Sequence, residues 1–405
     1  MRSTINKGYA EEVAASSSDR NDGKIWYLPH HPVTHPRKPG KVRIVFDCAA
    51  KYDGVCLNDV VHQGPDLTNK LLTVLIRFRQ GPVAIMADIE GMFNQIYVTP
   101  DDRDVLRFLW WKDHDPKNEI VTYRMTSHLF GGVWSPSAAS FALRKCASDH
   151  AHLYNTDTVS TVERNFYVDD CLKSSDSPQQ AIHLVEQLTD LLKQGGFHLT
   201  KWTSNSPEVL KSIPEEEHAN RAPSLDLDRD PSMERALGVL WDITSDCLTF
   251  SVNVKDQPNT KRGMLSTISS VYDPLGLVGP FILRGKALFQ ALCRMKLGWD
   301  ETIPSEIDEQ WDRWLNDLQK LCQLRVPRCL RPKAYTSSSV TMQLHHFSDA
   351  SELGYGAVCY LRVVSHNNIY CNIILSRNRL APVKPITIPR LELAAAVVAV
   401  QIDQK

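Results

Sequence analysis

The sequence predicts an α+β protein with more than one domain, and three observations carry that expectation. The chain has 405 residues, too long for one core of ordinary size. Strand-like apolar runs and amphipathic helix-like stretches both recur along it. Its last block opens as strand-turn-strand and closes on an alanine-rich helix.

Taken in order, residues 1–24 read as a flexible segment, with Ser16-Ser17-Ser18 and few large apolar side chains. Trp26 to Pro39 is rich in proline and histidine, which favours extended backbone. A β-like run, Val42-Arg43-Ile44-Val45-Phe46, precedes a helix-like stretch from Asp66 to Arg79 with Leu67, Leu71, Leu72, Leu75 and Ile76 on one face. Pro82 to Ala87 reads as a buried strand that stops at Asp88. Strands follow at Val105 to Trp111 and Glu119 to Arg124. Ser135 to Ala151 reads as a helix, because Ser135-Pro136 offers an N-cap and an N1 proline. Ser177 to Gln194 is amphipathic and ends at Gly195-Gly196. Residues 204–234 read as a polar loop excursion. Strands are expected around 237–254, helices between 263 and 322, strands again over His345 to Val363 and Asn368 to Leu375, and a helix from Arg390.

Composition excludes several function classes. With 42% hydrophobic and 23% charged residues and no apolar run long enough for a bilayer, no membrane partner is expected. The opening stretch MRSTINKGYAEEV has no apolar h-region, so secretion is not expected. Ten cysteines without a C-x-x-C pair disfavour a zinc site or disulfide framework, and the expected compartment is the cytosol or nucleus. Net charge is −1, yet Lys24 to Val45 holds Lys24, Arg37, Lys38, Lys41 and Arg43 with three histidines and no acid. Such a stripe can bind phosphates locally or be a solvated basic face.

Asp88 and the pair Asp169-Asp170 each stand where an apolar run ends. Carboxylates brought together in a low-dielectric site are costly without a cation, and hard oxygen donors select magnesium or calcium over zinc. Two or three aspartates suit a two-metal phosphoryl-transfer site. Taken alone, an Asp-Asp pair also suits a polar hairpin turn.

Tyr167-Val168-Asp169-Asp170 resembles the Y-x-D-D box of reverse transcriptases, and Asp88-Ile89-Glu90-Gly91-Met92-Phe93 resembles their other metal-binding motif. Between them, Phe130-Gly131-Gly132-Val133-Trp134-Ser135-Pro136 is similar to the element that lies against the incoming nucleotide, with Phe130 where retroviral relatives carry glutamine. Lys41-Val42-Arg43-Ile44-Val45-Phe46-Asp47, Leu57-Asn58-Asp59, Gly64-Pro65, Lys201-Trp202, Tyr272-Asp273-Pro274-Leu275-Gly276 and Ile388-Pro389-Arg390-Leu391-Glu392 resemble the BEL/Pao long-terminal-repeat retrotransposons. The resemblance covers nearly the whole chain from Lys7 onward.

It implies a right-hand polymerase, with fingers and palm over 25–235, a thumb or connection region over 236–335, and the N-terminal part of a ribonuclease H-like α/β domain over 336–405. The implied activity is RNA-directed DNA synthesis with two Mg²⁺ ions on an RNA template or a DNA primer/template. Asp88, Asp169, Asp170 and the Ile89 carbonyl would hold the ions. Lys41 and Arg43 would neutralise the triphosphate of the deoxynucleoside triphosphate, and Gly131, Ser135 and Pro136 would line the nucleotide. Phe93 would exclude a 2′-hydroxyl, and Lys201 would lie near the leaving pyrophosphate. Leu237-Gly238 would grip the primer.

Asp349 and Glu392 would be the first two carboxylates of the ribonuclease H-like site. The chain stops at Lys405 within the helix that Glu392 opens, so a truncated and inactive ribonuclease H is expected. An aspartic peptidase reading of this region needs a D-[ST]-G loop, from which Ser348-Asp349-Ala350-Ser351 departs. The resemblance also implies a Gag-Pol polyprotein context, in a cytoplasmic retroelement particle or the nucleus. The competing class is a degenerate or host-adopted element fragment that binds nucleic acid without catalysis.

Overall fold

The computed structural model describes residues 1–14, 23–35, 38–219, 232–252, 257–332, 335, 340–365 and 368–404, the side chains of 35 and 38–41 excepted. Strand β1 (Ala10–Glu12) follows a short helix α1 (Arg2–Asn6). The hairpin β2 (His30–His35) and β3 (Lys38–Phe46) comes next, then the helices α2 (Leu57–Val60) and α3 (Leu71–Phe78). After β4 (Val83–Ile89) lie β5 (Arg107–Trp111), β6 (Ile120–Met125), α4 (Ser135–Asp149) and α5 (Thr156–Arg164). The hairpin β7 (Phe166–Tyr167) and β8 (Asp170–Ser175) leads to α6 (Pro178–Gln194), β9 (Leu199–Ser204) and α7 (Pro207–Lys211).

The antiparallel sheet β7-β8-β4-β9 is the centre of the molecule. Along β4 the side chains alternate, as a strand buried on both faces requires. Val83, Ile85, Ala87 and Ile89 face one core with α4, α5, α6 and α7, whereas Ala84 and Met86 face a second core beside Leu172. That second core takes Val74, Leu75 and Phe78 from α3 and also Ala357, Cys359, Ile374, Leu375 and Val398 from the far end of the chain. The C-terminal sheet therefore shares this core with the central one.

The remaining units are smaller. Strands β1, β6 and β5 form one sheet over a core of Leu28, Phe46, Leu106, Phe108 and Tyr123. Residues 1–14, expected as part of a flexible segment, instead supply α1 and an edge strand, because Ala10 pairs with Met125 and is buried there. Residues 15–22 of that segment lie outside the described residues. A four-stranded sheet joins β10 (Met233–Ala236), β11 (Val239–Asp242), β12 (Cys247–Thr249) and β13 (Val326–Pro327). Between β12 and β13, helices α8 (Lys261–Ser270), α9 (Gly279–Arg294) and α10 (Ser305–Gln319) enclose stacked Trp311 and Trp314, 4.7 Å apart and buried as their helical spacing predicts. Last come β14 (Val340–Ala350), β15 (Gly354–Ser365) and β16 (Asn368–Leu380), a three-stranded meander covered by α11 (Ile388–Asp403). Among the described residues no helix is long and apolar enough to cross a membrane.

Two local expectations differ. The helix expected from Asp66 begins only at Leu71, because Asn69 turns its side chain away to donate to the carbonyls of Glu163 and Phe166, both at 2.9 Å, and Asp66 accepts from the Thr68 amide. Ser135 opens α4 but does not cap it; its hydroxyl donates to the Leu129 carbonyl at 2.8 Å, and Trp134 holds the cap position. Residues 220–231 of the excursion at 204–234 lie outside the described residues, and its first part forms α7.

Candidate active site

Strand alternation and pairing bring the carboxylates together. Asp88 is two residues beyond Met86 on β4, and Asp170 is two residues before Leu172 on β8, so both share the face of the second core at its open end. In the antiparallel register Asp88 lies directly opposite Asp170. Asp169 is at the tip of the two-residue β7–β8 turn, beside Val168, whose φ of 56° is left-handed. A β-branched residue there costs about 1–3 kcal/mol and persists only where the surroundings over-determine it. Here they do. Phe166 is buried, Asn165 exchanges hydrogen bonds with Leu172 at 2.8 and 2.9 Å, and the Ile89 amide donates to the Asp169 carbonyl at 2.9 Å. The stretch is thus a hairpin turn and a carboxylate cluster at once.

On the other side of β4, one residue of that strand faces two of β9. The register steps from Met86–Thr203 to Asp88–Thr200, and Lys201 takes a left-handed φ of 55° at the bulge. Its ammonium reaches Asp88, with Nζ 2.9 Å from Oδ2. Burial, followed by repulsion from Asp169 and Asp88, pushes the Asp170 carboxyl up to about 6. Burial chiefly, and Asp88 after it, raises Asp169 as well, while Lys201 draws both down.

Among the described residues no three His, Cys, Asp or Glu side chains converge closely enough to hold a metal ion as they stand. The donor set nevertheless fits a hard cation. Three carboxylates lie at one strand end, burial first and mutual repulsion after it hold Asp169 and Asp170 above their ordinary range, and a lysine ammonium is paired with Asp88.

The residues expected to line the nucleotide come from three segments. Phe93 lies in a one-turn helix (Met92–Gln95) after Gly91, is buried, and packs edge-on against Phe130 with centroids 4.6 Å apart. Phe130 is itself exposed. The following loop is fixed by Asn58, whose side chain donates to the Gly131 carbonyl and accepts from the Val133 amide, both at 3.1 Å. Gly131 has φ 101°, and a Cβ there would lie 2.9 Å from the Phe46 carbonyl oxygen, so only glycine lets this loop pass the β2–β3 hairpin. Pro136 sits in the first turn of α4. Arg43 is exposed on β3 opposite Val33; Lys41 shares that strand, but its side chain lies outside the described residues.

Leu237 and Gly238, with φ of 48° and 88°, make the two-residue turn between β10 and β11. Asp349 is exposed near the end of β14 opposite Gly356, and Glu392 is half-buried on α11; they are not part of the Asp88 cluster. Cys171, read as a small buried hydrophobe, has no exposure, and burial pushes its thiol up to about 12. The role of Asn58 was not readable from its motif, because its partners lie over seventy residues away.

Comparison with known proteins bears on the fold. Residues 260–405 match the family model of the Pao retrotransposon-like RNaseH-like domain. A search of curated proteins finds no match. Among solved structures, the foamy viral protease-reverse transcriptase in complex with double-stranded DNA superposes with TM-score 0.59 at 14% identity, over 99% of this chain and 58% of that one. The same viral protein in complex with an RNA/DNA hybrid gives TM-score 0.56 at 14% identity, over 99% of this chain and 45% of that one. The chain thus spans about half the length of these neighbours. It has the fold of a retroviral reverse transcriptase with a C-terminal ribonuclease H-like part, and it resembles the reverse transcriptase and ribonuclease H region of a Pao-type retrotransposon polyprotein.

Proposed function

We propose that the chain is an RNA-directed DNA polymerase that adds deoxynucleotides to a primer 3′-hydroxyl with two Mg²⁺ ions. The observation that carries this reading is the placement of Asp88 opposite Asp170, with Asp169 at the adjoining turn and Lys201 on Asp88. Asp88, Asp169, Asp170 and the Ile89 carbonyl would hold the ions, which when bound supply charge stabilisation to the attacking and leaving oxygens. The protein's own part is positioning and electrostatics, the main source of rate in phosphoryl transfer.

Lys201, paired with Asp88, would stand near the departing pyrophosphate. Arg43 and Lys41 on the β2–β3 hairpin offer positive charge to the triphosphate. Phe93, immobilised against Phe130, is a wall that leaves no space for a 2′-hydroxyl, which is discrimination by exclusion. Leu237-Gly238 holds the primer end, and the partners are an RNA template, a DNA primer and deoxynucleoside triphosphates, in the setting of a Gag-Pol polyprotein. That the fold neighbours were captured on double-stranded DNA and on an RNA/DNA hybrid supports these partners.

The test is primer extension on an RNA template with Mg²⁺. Extension by the wild-type chain and its loss in Asp169→Asn are expected. A folded wild type that binds the duplex and adds nothing would leave the non-catalytic fragment as the correct reading.

A further inference from the structure

The segment Tyr272-Asp273-Pro274-Leu275-Gly276, which has no assigned role, touches the primer-grip turn. Tyr272 follows α8, and its ring lies flat on Gly238. A Cβ built on Gly238 would meet Cε1, Cζ and Cδ1 of Tyr272 at 2.8, 3.2 and 3.3 Å. The phenol also neighbours Tyr167 of the carboxylate hairpin; burial, and then Tyr167, raises it above the ordinary tyrosine range. Tyr167 and Leu237 pack against the same core. Nearly half of Tyr272 remains exposed, so the ring is a bracket on this turn and not a core filler.

The bracket is rigidly mounted. Asp273 is half-buried and its carboxylate accepts from the amides of Leu277 at 2.9 Å and Val278 at 2.8 Å, closing the turn on itself. The turn is then bolted to β16. The Ser376 amide donates to the Leu275 carbonyl at 2.9 Å, its hydroxyl donates to the Gly276 carbonyl, and a Cβ on Gly276 would lie 2.1 Å from the Ser376 carbonyl oxygen. Gly276 also has φ 71°, so both the space and the backbone there require glycine. A continuous run of contacts leads from the C-terminal sheet through Tyr272 to Gly238, whose neighbour Leu237 packs on the same core as Tyr167.

We infer that Tyr272 is a positioning residue: its ring clamps the Leu237-Gly238 turn against the Tyr167–Asp170 hairpin and so fixes where the primer 3′ terminus stands relative to the carboxylates. The inference rests on the polymerase reading. The ring face is the working part, since it is the face that meets Gly238, and a phenylalanine preserves it.

The experiment compares wild type, Tyr272→Ala and Tyr272→Phe on a recessed primer–template with 2-aminopurine at the primer 3′ end. Duplex affinity is read by fluorescence anisotropy, terminus mobility by 2-aminopurine emission, and single-nucleotide addition as kcat and KM. Expected for Tyr272→Ala are duplex affinity and nucleotide KM within twofold of wild type, kcat at least tenfold lower, and loss of the emission change that wild type produces; Tyr272→Phe stays within threefold of wild type throughout. An alanine variant with wild-type kcat and emission, equal losses in affinity and kcat, or a phenylalanine variant as impaired as alanine each overturns the inference. If wild type adds no nucleotide, the polymerase reading falls. The inference is then decided by the emission comparison alone, where equal signals from wild type and Tyr272→Ala refute it.

Discussion

Removing the Arg328 guanidinium should loosen the joint between the central sheet and the strands that follow it, with a cost that the contacts allow to be worked out. Arg328 has no exposure. Its Nε and Nη2 reach the two oxygens of Asp246 at 2.6 and 2.8 Å, and its remaining donors serve the carbonyls of Phe78 at 2.5 Å, Gly81 at 3.0 Å and Pro82 at 3.1 Å. It also stands over the rings of Phe78 and Trp241, at 5.2 and 5.9 Å. Arg328→Met keeps the stem and deletes every donor, which leaves a carboxylate and three carbonyls without this partner. Breaking a buried pair by removing one member costs about 3–5 kcal/mol. Relief of Arg79 works the other way, since burial and then the Arg328 charge hold that guanidinium down at about 10.

A net loss of about 4 kcal/mol follows, about a quarter or more of the roughly 5–15 kcal/mol that keeps a folded protein intact. With a urea dependence of about 3 kcal/mol per molar, the unfolding midpoint should fall by roughly 1.3 M. A fall below about 0.3 M in urea denaturation followed by tryptophan fluorescence would refute the reasoning, because it would mean that the buried charge was dispensable. Asp246→Asn in the same background should add little further loss, the two side chains acting as one unit.

Two further outcomes are expected. The Asp170 carboxyl, at about 6 in the folded chain, lies above its unfolded value of about 3.9. The folded state therefore binds the proton more tightly, and this group's contribution to stability declines as pH rises from about 4 to about 6. Asp170→Asn should be more stable than wild type by up to about 3 kcal/mol above that window and equal to it near pH 4; Mg²⁺ should narrow the gap, and denaturation curves at several pH values with and without the ion check both. Phe93→Val should lower the preference for deoxynucleotides over ribonucleotides by at least about tenfold, worth about 1.4 kcal/mol of exclusion, read as the ratio of kcat/KM values for the two substrates.

Much of the site was legible because its elements are local. An apolar run ending on Asp88, and a second flanking Asp169-Asp170, mark strand ends by composition alone, and Trp311 with Trp314 declare a buried face by spacing. What was not legible depends on pairing across the chain. That Asp88 faces Asp170 and not Asp169 is set by strand register, in which a one-residue slip would turn the carboxylate to the other face. The bulge that swings Lys201 onto Asp88 has no mark in the sequence, since lysine carries no preference for a left-handed backbone. The hydroxyl of Ser135 had two uses, and the Leu129 carbonyl won it from the helix terminus. Nothing in the sequence marks Arg79 and Arg328 as buried, because their acceptors lie some 250 residues away.

The most direct test is the rate of single deoxynucleotide addition to a primer on an RNA template as a function of Mg²⁺, in wild type, Asp88→Asn and Asp169→Asn. The account predicts a wild-type rate that rises more steeply than first order at low Mg²⁺ and vanishes with chelator. It also predicts a loss of about a thousandfold in either variant, equivalent to about 4 kcal/mol of transition-state stabilisation, with duplex affinity unchanged. Addition that survives chelation, or that proceeds in Asp169→Asn at the wild-type rate, would contradict it.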